Sequence, residues 1–144
     1  MTRKVGVASS PSPSTLVQEA DAALARRDLR RVWDLLEALR ATHNDKETGL
    51  EIGRIERLVE ESLAQHRISG LLIPRLAKPE GMAAIPVLRP NEAFVLSRIN
   101  DLWSLREIGR IAPVSELEFG VIAATLLHFG LIELRHPKGG PAVP

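Results

Sequence analysis

Apolar positions recur at helical spacing from Thr15 onward. Leu16, Ala20, Ala23 and Leu24 share one face, and Thr15-Leu16-Val17-Gln18 reads as a capping box with Thr15 as N-cap. The pattern breaks at Arg27-Asp28, where Asp28 can cap a second helix opening at Leu29. In that helix Leu29, Val32, Leu36 and Leu39 form a stripe that Trp33 and Leu35 widen, and the alanines at 20, 22 and 23 allow a close hairpin. A third helix carries Ile52, Ile55, Val59 and Leu63 and runs to about His66, with Asn44 and Glu47 as its capping pair. Gly49 and Gly53 weaken its first turns by about 1 kcal/mol each relative to Ala, so this helix must dock to persist.

The pattern changes between Gly70 and Pro90. Pro74, Pro79, Pro86 and Pro90 exclude a continuous helix, yet Leu71, Leu72, Ile73, Leu76, Ile85, Val87 and Leu88 are too apolar for a free linker. An extended segment lying along a folded surface is expected, with Ala84–Leu88 as an edge strand. Three short helices follow. Residues 91–100 place Phe94, Val95 and Ile99 inward. Ser104-Leu105-Arg106-Glu107 opens the next helix, with Leu105, Ile108 and Ile111 inward. Ser115-Glu116-Leu117-Glu118 opens the last, with Val114 and Phe119 in a hydrophobic staple and Gly130 as its left-handed stop. Leu131, Ile132 and Leu134 read as a strand.

The expected architecture is mostly α. A flexible tail (1–13) leads into a helical region, a hairpin plus a third helix (14–69). An ordered proline-rich strap (70–90) joins it to a small winged-helix-like module with one or two short strands (91–135), and a second flexible tail (136–144) ends the chain. The phrase from Ala20 to Leu36 resembles one tetratricopeptide-type helix pair, without a second copy at the repeat period.

Composition narrows the function. With 44% apolar and 26% charged residues the chain is globular rather than disordered. There is no Cys, which removes disulfides, thiolate metal sites and thiol nucleophiles and fits a cytoplasmic protein. The longest mostly apolar run, Val121–Ile132, is shorter than the roughly 20 residues of a membrane span. A net charge of +1 and an aromatic content of 3% argue against a polyanion binder and against base-stacking surfaces.

Residues 88–135 resemble the C-terminal module of PatA-type bacterial signalling proteins, which carries a Leu-Ser-Arg-Ile-Asp-Gly-type signature. The matching residues are Leu96-Ser97-Arg98-Ile99-Asn100-Asp101, then Ser104-Leu105-Arg106-Glu107-Ile108 and Leu126 to Ile132. The chain departs from the family at Leu102 and Trp103, where a Gly and a small polar residue are usual. The resemblance implies a regulatory or scaffolding module and carries no catalytic residues.

No nucleotide-binding, nucleophile-elbow or zinc-helix motif occurs, and the four histidines are never three or four residues apart. The reading assigns no catalytic residue, cofactor or metal. His128 near a helix end is explained by the helix dipole. A DNA reader would present Arg, Lys, Asn or Gln at the start of its recognition helix, but here that stretch holds Glu116 and Glu118 and no Lys or Arg. Residues 91–135 hold four arginines against six carboxylates. Arg26, Arg27, Arg30 and Arg31 form the other basic feature. A polyanion contact there competes with a charge-balanced corner, which Glu19, Asp21, Asp28, Asp34 and Glu37 favour.

The remaining signal is surplus apolar surface, since a three-helix unit of this size covers only one side of its last helix. Trp103, Leu102, Phe119 and Trp33 are therefore the candidate partner-binding residues, with homo-oligomerisation left open. Hairpin core is the competing role for Trp33, and it is favoured. For Trp103, core and interface are nearly balanced, and its place in a turn tips it to the surface. The expected function is a non-enzymatic regulatory adaptor that binds another protein in a bacterial signalling or localisation system. A winged-helix transcriptional regulator that binds DNA is the alternative, and an enzyme ranks third.

Overall fold

The structure, a computed structural model, describes residues 12–42, 45–77 and 86–137. The chain is mostly α, with a small two-stranded antiparallel sheet, and divides into two units at Leu58/Val59.

The first unit holds α1 (Pro13–Ala25), α2 (Leu29–Thr42) and the start of α3 (Lys46–Gln65). Helix α1 begins earlier than the Thr15 capping box predicts. Ser12 is the N-cap, its Oγ accepting the Thr15 N–H at 3.1 Å, and Pro13 takes the first turn, where its missing N–H costs nothing. Ser12 and Pro13, expected in the flexible tail, thus belong to the helix, and the rest of that tail, like residues 138–144 of the expected C-terminal one, lies outside the described residues. Helix α1 ends in a Schellman motif. Asp28 N donates to Ala23 O and Arg27 N to Leu24 O, both at 2.9 Å, with Arg27 left-handed at φ 59°. Asp28 Oδ1 then accepts the Arg31 N–H at 3.2 Å and opens α2 as expected.

Leu16, Ala20 and Ala23 of α1 and Leu29, Val32, Leu36 and Leu39 of α2 are buried, and the two alanines are fully covered where the helices pack together. Asn44, the expected cap of α3, lies outside the described residues. Asp45 does the capping, its carboxylate accepting Thr48 N at 3.1 Å and Thr48 Oγ1 at 2.7 Å. Arg54 of α3 grips Asp21 of α1 through two contacts of 3.1 and 3.0 Å and also reaches Glu51. These hydrogen bonds, to Asp21 first and then Glu51, raise the Arg54 pKa further above its ordinary value. Arg40 of α2 pairs with Glu56 of α3.

The second unit holds the end of α3, β1 (Ile73–Leu76), α4 (Pro90–Ser97), α5 (Leu105–Ile111), α6 (Glu116–His128) and β2 (Ile132–Arg135). Strand β1 pairs antiparallel with β2 in the register Ile73↔Arg135 to Leu76↔Ile132. The strap thus supplies a strand, but not at Ala84–Leu88. Residues 84 and 85 lie outside the described residues, and 86–89 are not strand. Pro74 is tolerated in β1 because each strand of a two-stranded sheet has an open edge. Just before β1, Leu72 O accepts the Leu105 N–H at 2.8 Å and Gly70 O accepts the Arg106 N–H at 2.9 Å. Two of the orphan donors that open α5 are thereby satisfied.

The core of this unit gathers Leu72, Val95, Ile99, Leu105, Ile108, Phe119, Ile122, Leu126, Ile132 and Leu134. Helix α4 stops at Ser97, short of the expected residue 100, and Phe94 is only half-buried, with the Arg98 guanidinium 4.9 Å from its ring centroid. Helix α5 has its predicted capping box, with Ser104 Oγ accepting Glu107 N at 3.2 Å and Glu107 Oε1 accepting Ser104 N at 2.9 Å. Ile111, expected inward, is 47% exposed. Steps of three residues drift backwards by about 60° each around a helix, so Ile111, two steps from Leu105, leaves the core face. Ala112 packs there instead. Gly130, at φ 74°, closes α6 as expected.

Gly49 and Gly53 are exposed on α3, and a Cβ added to either meets no atom within 4 Å. Gly49→Ala and Gly53→Ala should each stabilise the protein by about 1 kcal/mol in urea denaturation. Arg54→Gln should destabilise it by about 0.5–1 kcal/mol, since these side chains are about half exposed, and the loss should shrink in about 1 M salt.

Candidate functional site

The α4–α5 turn arises from local side-chain chemistry. Asn100 Oδ1 accepts the N–H groups of both Leu102 (3.0 Å) and Trp103 (2.9 Å). Asp101, between Asn100 and Leu102, is left-handed at φ 66°, a conformation that Asn and Asp tolerate better than other side chains. The Ser104 capping box fixes the other end of the turn. Leu102 and Trp103 are therefore held in place by the backbone on both sides, yet Leu102 is 77% and Trp103 39% exposed. The Leu-Trp pair is thus an exposed apolar feature on a turn whose backbone is already ordered.

The second unit also has an open groove of about 770 Å³ between the end of α3, the 68–70 turn, α5 and the start of α6. Its floor is apolar, with Leu63, Ile68, Leu105 and Phe119. Its rim is charged, with Glu60 on α3, Arg106 and Arg110 on α5, and Glu116 on α6. Glycines bring these walls together. A Cβ on Gly109 would lie 3.3 Å from the Phe119 ring, and one on Gly120 would lie 2.7 Å from Leu63 Cδ1. Sequence reasoning missed this groove. Its only trace was glycine inside helical patterns, which signals close packing as readily as weakness.

The expected partner-binding residues separate into two kinds. Leu102 and Trp103 share the exposed turn. Trp33 is only 6% exposed and lies in the first unit, where the Arg40 guanidinium stacks 4.8 Å from its ring centroid. Phe119 is buried in the core of the second unit. Both side chains are turned inward by their helices and packed in cores, while Phe119 also lines the floor of the groove. Of the basic cluster, Arg31 pairs with Glu19 at 3.3 Å and Arg27 occupies the Schellman corner, so these arginines belong to a charge-balanced helix junction.

Helix α6 is poorly suited to read DNA. Phe119, Val121, Ile122, Ala123, Thr125 and Leu126 are all buried along it, and its first turn carries Glu116 and Glu118. Among the described residues, no three His, Asp or Glu side chains gather where they could hold a metal ion, and no helix is long and apolar enough to cross a membrane. His66 Nδ1 lies 2.7 Å from the Ser62 carbonyl, to which it donates when protonated there. Comparison with protein-family models, with curated proteins and with solved structures yields no match.

The two tryptophans should respond differently to truncation. Trp33→Ala should cost about 3–5 kcal/mol and lower the melting temperature sharply. Trp103→Ala should cost under about 1 kcal/mol, as expected for a partly exposed turn residue. Equal losses would place Trp103 in the core.

Proposed function

We propose that the chain is a non-enzymatic regulatory adaptor that binds another protein, with Leu102 and Trp103 as its anchor. The exposure of these two side chains on a turn tied by Asn100 and by the Ser104 capping box carries this reading. Large apolar side chains are costly to leave in water, and holding them rigid there is useful chiefly for recognition.

The likeness to PatA-type bacterial signalling proteins supports a signalling or localisation role. In the signature Leu-Ser-Arg-Ile-Asp-Gly, Asn100 and Asp101 stand at the last two positions. Asp101 adopts the left-handed backbone that favours glycine, and Asn100 accepts main-chain N–H groups as an Asp would. The order β1–α4–α5–α6–β2, three helices closed by a two-stranded antiparallel sheet, fits a winged-helix-like module.

That same order favours the second reading, a DNA-binding regulator. Electrostatics weigh against it. Glu116 and Glu118 would meet phosphates at the start of the recognition helix, and backbone neutralisation supplies most non-specific affinity.

Binding to random duplex DNA at physiological salt should be weaker than about 10⁻⁴ M, the weak end of the usual non-specific range. Affinity capture from the native cell with the full chain as bait should enrich one stoichiometric protein, and Trp103→Ala with Leu102→Ser should reduce its recovery at least tenfold without unfolding the bait. Submicromolar, steeply salt-dependent DNA binding would instead establish the regulator.

A further inference from the structure

We infer that the α3–α5–α6 groove docks an amphipathic helix of the partner protein, its apolar stripe on the floor and a row of carboxylates along Arg106 and Arg110. The inference rests on the adaptor reading and supplies a second contact, separate from the Leu102–Trp103 turn.

Three observations select this occupant. The first is the state of the rim charges. Arg106 and Arg110 are exposed, one turn apart on α5, and their guanidinium groups make no ion pair or hydrogen bond with any described residue. Glu60 and Glu116 are the rim's two carboxylates, and several other charges in the second unit are engaged. Glu107 caps α5, Arg98 lies over Phe94, and Arg75 faces Glu133 at 3.8 Å. Two collinear free guanidinium groups beside an apolar floor are complementary to carboxylates flanking an apolar stripe. At a rise of about 1.5 Å per residue, the two arginines are offset by about 6 Å along α5, the offset of acids at i and i+4 on a neighbouring helix.

The second observation concerns main-chain groups. The walls are helices whose interior amides and carbonyls bond within each helix, and three main-chain groups of the 68–70 turn are bonded as well. Ile68 N donates to Leu63 O, Ser69 O accepts Leu72 N, and Gly70 O accepts Arg106 N. An extended peptide laid here would bury unpaired amides, whereas a helix brings its backbone already bonded. The third concerns small molecules. Such sites place a few polar groups inside an enclosed pocket, but here the polar groups stand on the rim of an open groove.

The test uses the full chain and two synthetic helical peptides of about 18 residues with one leucine stripe at i, i+3, i+4 and i+7. One carries Glu along a single edge and Gln along the other, and its counterpart carries Lys in place of Glu. Fluorescence anisotropy should show the Glu peptide binding at least fivefold more tightly than the Lys peptide. Arg106→Glu with Arg110→Glu, both at exposed positions, should invert that order with an unchanged melting temperature. Ala64→Trp, at an exposed position on the α3 wall, should abolish binding of both. Trp103→Ala should leave peptide affinity unchanged, so failure at the groove is distinguishable from failure of the adaptor reading, which the cell capture reports.

The inference is overturned by equal affinities for the two peptides, by an order that survives the charge reversal, or by no saturation up to about 1 mM. Equal binding of a proline-broken Glu peptide would assign the groove to an extended segment. A dimer in sedimentation that Ala64→Trp renders monomeric would assign it to a second copy. Either result overturns the inference.

Discussion

The second unit depends on a short stretch of extended backbone between Gly70 and Ala77. Three hydrogen bonds define it. Gly70 O and Leu72 O receive the first amides of α5, and Ala77 N donates to Leu131 O at 2.9 Å, just ahead of β2. A seven-residue helix has too few internal bonds to persist alone. Helix α5 persists because its first amides find carbonyls on the strap and because Leu105 and Ile108 are buried. The strap in turn is held by its pairing with β2 and by burial of Leu72 and Pro74. Without that stretch, α5 would lose its start, the turn before it would lose one anchor, and the groove would lose a wall.

The exposed turn and the groove follow from this arrangement. The turn before α5 has to connect the end of α4 to a helix start whose position the strap dictates. Asn100 and Asp101 make that connection with two side-chain-to-backbone bonds and one left-handed residue. The cost is that Leu102 and Trp103 point into water. The groove forms where glycines at 109 and 120 let helices approach Phe119 and Leu63 closely, with charged side chains along its rim.

Helix ends show how local chemistry and packing divide the work. Three helices close with Schellman bonds, at Arg27, Arg67 and Gly130. Only Gly130 announces itself, because glycine is the residue that adopts positive φ without strain. The two arginines are held left-handed by the bonds around them, Arg67 N to Ala64 O and Ile68 N to Leu63 O in the second case. A preference of about 1–2 kcal/mol against that conformation is offset once the flanking helices are packed.

The sequence alone determined those features whose energy is local. The capping box at Ser104, the cap at Ser115, the stop at Gly130, the break at Asp28, the hairpin stripe and the mostly α class each rest on residues within about four positions of one another, so spacing reveals them. Tertiary structure decided the rest. It placed the strand at Ile73–Leu76, because pairing depends on β2, nearly sixty residues away in the chain. It turned Ile111 outward, made core of Trp33 and Phe119, and assembled the groove from three helices. Apolar periodicity says that a side chain will be buried if something covers it. What covers it is set by contacts between distant segments, whose free energy is spread over many weak dispersion and hydrophobic terms and leaves no mark at any single position.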